Sequence, residues 1–144
     1  MAMRCHRFVV APPTSEKMLS IETIAVWHQL VKKRDLGGLG AILADEVIFH
    51  SPIVHTPQVG KTGTQRYLTA AFGVFFNESF RYVREVIGEY DAVLEFVVEI
   101  DGITVNGVDM IKWNRDGQIV DFKVMLRPLK GINIIHQKMA AMLQ

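Results

Sequence analysis

Between Asn77 and Arg127 the apolar residues recur with a period of two, whereas on either side they recur at spacings of three and four. Side chains alternate between the two faces of a strand, so a period-two run of this length reads as consecutive strands with one buried face. Two Asp-Gly pairs punctuate it, Asp101-Gly102 and Asp116-Gly117, and the first suits a two-residue type I′ hairpin. Strands are expected over residues 80–88, 92–100, 104–114 and 118–127. Linkers this short leave no room for a crossover, so consecutive strands are expected to pair antiparallel.

Upstream the period is helical. Ile21, Ile24, Trp27 or His28, and Val31 place a first helix from Ser20, read as its N-cap, to Lys33. Asp35 is expected to cap a short second helix, which Gly37, Gly38 and Gly40 weaken and which depends on packing through Leu36, Leu39, Ile42 and Leu43. A strand over 47–51 stops at Pro52, and a loop leads to a third helix from Thr62. That helix carries a wide stripe of Tyr67, Leu68, Ala71, Phe72, Phe75 and Phe76. Pro128 opens a closing helix bearing Leu129, Ile132, Ile135, Met139 and Leu143. Residues 1–17 show no sustained period and read as a tail or arm, leaving 18–144 as one domain. Helices first and a meander of strands afterwards give an α+β fold, a curved antiparallel sheet covered on one face by helices.

Composition narrows the function classes. In 144 residues, 16 Lys and Arg against 15 Asp and Glu leave a net charge of +1, too little to hold nucleic acid or an anionic membrane. The single cysteine, Cys5, excludes an internal disulfide and a cysteine-rich metal site. Apolar stretches fall short of the roughly 20 residues of a membrane span, and the one at the start is shorter than a signal-peptide core. The reading is a soluble, cytoplasmic protein.

The Asp101-Gly102 turn also sets a register. Ile100 then faces Ile103, Val98 faces Val105, Phe96 faces Gly107 and Leu94 faces Asp109. One face of this pair carries Leu94, Phe96, Val98, Ile100, Val105, Ile111 and Trp113, with Asp109 the sole acid among them. A carboxylate facing an apolar interior costs several kcal/mol unless it is paired, hydrogen-bonded or kept protonated, roughly as other buried charges do. Asp109 is therefore a site candidate, with a structurally satisfied aspartate as the alternative. The opposite face mixes charge with Val93, Val97, Val108, Met110 and Met125, which suggests a homodimer interface, the alternative being a solvated face.

The order helix, helix, strand, helix, four strands resembles the cone-shaped, cystatin-like fold of the NTF2-like superfamily, in its SnoaL-like polyketide cyclase and ketosteroid isomerase branch. The string RDLGGLGAILADEVIFHSP resembles the helix-turn-helix-strand opening of that family, and GVDMIKWNRDGQIVDF resembles its characteristic strand pair. The closing VMLRPL and following helix resemble a group of uncharacterised SnoaL-like proteins. The resemblance implies a pocket between sheet and helices. It places Asp109 where the isomerase has its oxyanion-stabilising aspartate and where the cyclases have an acid or base. Trp27 falls at the isomerase's catalytic tyrosine, and its indole N–H donates without titrating. Ser51 falls at the isomerase's base, and Val124 at the acid of the family's epoxide hydrolases.

The other chemistry-bearing residues carry weaker signals. His50 and His55 flank Pro52, yet no third ligand stands at metal-binding spacing, so no metal is expected. Alternation turns His50 away from the pocket, and His55 lies in the loop that crosses the pocket mouth in this family. Tyr67 and Tyr82 either place hydroxyls in the cavity or pack. Arg127 reads as structural, and the run Lys32, Lys33 and Arg34 suits a helix C-terminus. The expectation is a homodimer, without cofactor, binding a small apolar molecule with a carbonyl or hydroxyl. Asp109 is its acid, with Trp27, Ser51, His55, Tyr67, Phe72, Phe96 and Val124 around the ligand. Isomerase, cyclase or dehydratase chemistry through a neutral Asp109 is one reading, and a non-catalytic dimerising or ligand-carrying module is the other.

Overall fold

The computed structural model describes residues 15–144. Helix α1 spans Ser15–Lys33, and the short α2, Leu39–Ile42, runs directly into strand β1, Leu43–His50. A two-residue strand β2, Gln58–Val59, precedes α3, Lys61–Phe75. The meander follows as β3, Arg81–Ile87, β4, Asp91–Ile100, β5, Ile103–Trp113, and β6, Ile119–Arg127, and α4, Leu129–Met142, closes the chain. The six strands form one sheet in the order β2-β1-β6-β5-β4-β3. No helix among the described residues is long and apolar enough to cross a membrane.

The hairpin between β4 and β5 is built as its turn dictates. Asp101 and Gly102 take φ of 50° and 77°, the left-handed pair that a type I′ turn requires. The register runs Ile100↔Ile103, Val98↔Val105, Phe96↔Gly107 and Leu94↔Asp109. One face is consequently buried along both strands: Leu94, Phe96, Val98, Ile100, Val105, Ile111 and Trp113 are all closed off from solvent, and Asp109 with them. Gly107 marks a close approach. A Cβ there would stand 2.6 Å from the tip of the Phe96 ring and 2.7 Å from the Met125 carbonyl, so the ring takes the space a side chain would fill.

Helices cover this face in two apolar groups. One joins Ile24, Trp27 and Leu30 of α1 to Leu68 and Phe72 of α3 and to Phe49, Leu94, Ile111 and Phe122 of the sheet. The other gathers Phe75, Phe96, Val98, Val105 and Ile135 under α4.

One pairing departs from a purely antiparallel sheet, because β1 runs parallel to β6, with Phe49↔Phe122 and His50↔Lys123. The short-linker argument holds for neighbours in the meander. Between β1 and β6, however, lie α3 and four strands, ample chain for a parallel crossover. A bulge between Leu43 and Ile48 lets β1 begin at Leu43, four residues before the alternation becomes regular. Helix α1 begins at Ser15 rather than Ser20, since Glu16, Lys17, Met18 and Leu19 are good helix formers and extend it upstream. Of the tail expected over 1–17, residues 15–17 therefore belong to α1 and the rest lies outside the described residues. Asp35 accepts a hydrogen bond from the Gly38 N–H at 3.0 Å, which shapes the turn ahead of α2 rather than its first helical residues.

Candidate functional site

Asp109 sits in mid-strand on β5, with Leu94 beside it on β4 and Val124 on β6. Its carboxyl is buried among apolar side chains, and no ion pair among the described residues reaches it. The Tyr82 hydroxyl, from β3, donates to Asp109 Oδ2 at 2.7 Å. The Trp27 indole N–H, from α1, donates in turn to the Tyr82 oxygen at 2.9 Å. Three elements far apart in sequence thus converge on one carboxyl through a two-step chain of donors.

The protonation states follow from these surroundings. Burial pushes the Asp109 carboxyl up to about 7, because an apolar interior disfavours the anion, and the Tyr82 hydrogen bond opposes this by stabilising the carboxylate. Burial, followed by the neighbouring Asp109 charge, pushes the Tyr82 phenol well above its ordinary range, so Tyr82 remains a neutral donor. Near neutral pH Asp109 is able both to give and to take a proton.

Asp109 lines an inner cavity of about 30 Å³, the room of a single water molecule, together with Trp27, Phe72, Phe76, Phe96 and Val124. Ala71, Phe75 and Val124 form its outer wall, and beyond them lies a second cavity of about 210 Å³. This larger space is bounded by Phe49, Ser51 and the loop to Val54, by Tyr67 on α3, and by Ile135, His136, Met139, Ala140 and Leu143 at the C-terminal end of the chain. Its lining is mostly apolar.

The expected pocket is therefore divided. Trp27, Phe72, Phe96, Val124 and Asp109 surround the inner cavity, while Ser51, Tyr67 and the other side of Val124 bound the outer one. The Ser51 hydroxyl is engaged by the backbone. Its Oγ accepts the Ile53 and Val54 N–H groups at 3.0 and 3.3 Å and turns the loop after β1. That turn carries His55 out to solvent, into an open groove with His50 and Lys123, so His55 does not join Asp109. His50 pairs with Asp121 at 3.0 Å, and His28 pairs with Glu85. No cluster of three metal-binding side chains occurs among the described residues.

Two residues of the site stand outside the expected ligand set. Tyr82 was readable as a hydroxyl in the cavity or as packing, but its link to Asp109 passes diagonally across β4 and depends on a bulge between Tyr82 and Arg84. His136 had a signal: it stands three, four and seven residues before Met139, Ala140 and Leu143, on one helical face with them.

A profile of the SnoaL-like domain matches residues 24–122. A solved structure of a steroid delta-isomerase from Pseudomonas aeruginosa is 34% identical, with 93% of this chain and 96% of that one covered and a TM-score of 0.83. An uncharacterised protein with a cystatin-like fold from Silicibacter pomeroyi is also 34% identical, over 83% of each chain, with a TM-score of 0.75. An NTF2-like protein of unknown function from Mesorhizobium loti shares the fold at 15% identity, covering 81% of this chain and 98% of that one, with a TM-score of 0.69. Comparison with curated proteins found no match.

The raised carboxyl carries a stability signature. Between about pH 4 and 7 the folded protein holds a proton that the unfolded chain has released, so the contribution of Asp109 is full below about pH 4 and lost as pH rises to about 7. Relative to Asp109→Asn, the wild type should lose up to roughly 4 kcal/mol across that window, as urea denaturation at successive pH values would read. Parallel stability curves for the two proteins would contradict the assignment.

Proposed function

The chain belongs to the SnoaL-like domain family, and on that premise we propose that it binds a small, mostly apolar molecule bearing a carbonyl or hydroxyl, and moves a proton on it through Asp109. The observation that carries this reading is the buried carboxyl of Asp109, held by the Tyr82 hydroxyl and facing a small cavity walled by apolar side chains. Tyr82 occupies Oδ2, which leaves Oδ1 for the ligand. A protonated Asp109 donates a hydrogen bond to a carbonyl oxygen and stabilises the negative charge that grows there when a neighbouring C–H bond breaks. Isomerisation, cyclisation and dehydration at a carbonyl all need this step. The Pseudomonas aeruginosa relative is described as a steroid delta-isomerase, an activity on an apolar carbon skeleton, which supports the isomerase form of the reading. To reach Asp109 from the larger cavity, the reactive end of the ligand passes between Phe75 and Val124.

The test uses 2-naphthol as a binding probe and a β,γ-unsaturated cyclic ketone as a turnover probe, whose conversion to the conjugated enone appears in the ultraviolet. Asp109→Asn keeps the shape and removes the titrating proton. It should lower turnover by roughly 100-fold or more while 2-naphthol affinity stays within about tenfold. Val124→Trp, which fills the passage, should block 2-naphthol. Equal turnover in wild type and Asp109→Asn would refute the acid–base role, and binding indifferent to Val124→Trp would refute the cavity. Undiminished affinity without any turnover in the wild type favours the carrier reading.

We also propose that the outer sheet face joins two copies of the chain. Val93, Val97, Val108 and Met110 are half-buried there in a single copy, and Met125 beside them is 51% exposed. A partner copy would cover this half-apolar strip. Light scattering at micromolar concentration should give twice the 16.3 kDa protomer mass, and a persistent monomer would refute the interface.

A further inference from the structure

Hydrogen bonds in series have a direction, and in the series that ends on Asp109 one member decides it. An indole N–H donates and never accepts. The Trp27 N–H therefore aims its proton at the Tyr82 oxygen, 2.9 Å away, whatever the state of the other two groups. The indole proton and the hydroxyl proton cannot share one side of that oxygen, so the Tyr82 proton is directed the other way, to Asp109 Oδ2 at 2.7 Å. Oδ2 is thereby kept as an acceptor. When Asp109 is protonated, its own proton is left to Oδ1.

The surroundings hold this order. Trp27 is buried, and its ring is wedged between Phe72 and Phe122, with centroids 5.8 and 5.0 Å away, which keeps the indole from swinging off Tyr82. Apart from Trp27 and Asp109, the side chains bounding the inner cavity are apolar and offer no competing partner. The ionisable groups beside Tyr82 are His28 and Glu85, which pair with each other, and the His28 ring meets the Tyr82 ring edge to face at 5.1 Å. The chain's other tryptophan gives the contrast. Trp113 is buried as well, yet its N–H has no hydrogen-bond partner among the described residues.

Building on the Asp109 reading, we propose that Trp27 is a positioning residue of the site, whose indole N–H fixes the direction of the Tyr82–Asp109 hydrogen bond and so keeps the acid's proton on Oδ1, the oxygen left for the ligand. Without that N–H the Tyr82 oxygen is free to accept, and a protonated Asp109 is able to turn its proton from Oδ2 onto Tyr82, where it does not serve a carbonyl. The N–H also polarises Tyr82 and makes its hydroxyl a better donor to the carboxylate. Removing it favours the neutral carboxyl on both counts.

The test replaces both tryptophans of the full chain with benzothienylalanine, which keeps the ring size and has sulfur in place of the N–H. Because the Trp113 N–H is unpartnered, the hydrogen bond lost is that of Trp27. The Asp109 titration midpoint, read by carbon-13 NMR of its carboxyl, should rise by a few tenths of a pH unit or more. In Tyr82→Phe the same replacement should add nothing further, since Trp27 acts through Tyr82. At a pH where Asp109 is neutral in both proteins, ketone turnover should fall about twofold or more, because two placements of the proton then compete. In the unmodified protein the Trp27 indole N–H resonance, told from that of Trp113 by its through-space contact with the Tyr82 ring, should move with the Asp109 midpoint and lose most of that movement in Tyr82→Phe. An unmoved midpoint, an equal rise in Tyr82→Phe, undiminished turnover, or an indole resonance indifferent to the Asp109 titration would overturn the inference while leaving Asp109 in its role. A wild-type midpoint of about 4, the value of an exposed aspartate, or turnover absent or indifferent to Asp109→Asn, removes the reading on which it stands and the inference together.

Discussion

The hydrogen bond from the Tyr82 hydroxyl to Asp109 Oδ2 is the contact on which the interior of this protein depends. A carboxyl placed among Leu94, Phe96, Phe122 and Val124 has to be neutralised or hydrogen-bonded, since an isolated buried charge is far costlier than any one packing contact returns. Both happen here. Burial keeps the carboxyl protonated up to about pH 7, and Tyr82, itself held by Trp27, fixes one of its oxygens. The same chain ties α1, β3 and β5 together, so the geometry of the acid and the docking of the first helix are a single arrangement.

That arrangement is upstream of the cavity. The carboxyl and its donors border a gap about the size of one water, walled by aromatic rings. Trp27 and Phe72 meet edge to face with centroids 5.8 Å apart, and Phe72 and Phe76 do so at 4.5 Å. Such contacts hold the rings in defined orientations. Ala71, Phe75 and Val124 border both the gap and the larger cavity. The near-neutral charge of the chain is in keeping with a ligand recognised by shape and one hydrogen bond rather than by a field.

Much of this was legible before any coordinates. A two-residue turn leaves no freedom of register, and a slip of one residue would have put every apolar side chain of β4 and β5 on the wrong face. The Asp101-Gly102 dipeptide therefore sufficed to place Asp109 inward opposite Leu94. What stayed hidden depends on geometry that no spacing encodes. A bulge in β3 decides which way Tyr82 points. The Ser51 turn decides that His55 leaves the site. The parallel alignment of β1 with β6 joins segments separated by nearly half the chain, as long-range contacts do without a local signature. His136 lay on a readable helical face, but its meaning comes only from what α4 packs against.

The central claim is that Asp109 is a buried acid poised near neutrality, and the ionisation of that one group tests it most directly. Carbon-13 NMR of the Asp109 side-chain carboxyl, identified by its absence in Asp109→Asn, should show a titration midpoint of about 7, moving higher in Tyr82→Phe as the stabilising hydrogen bond is lost. A midpoint near 4, the value of an exposed aspartate, would contradict the account.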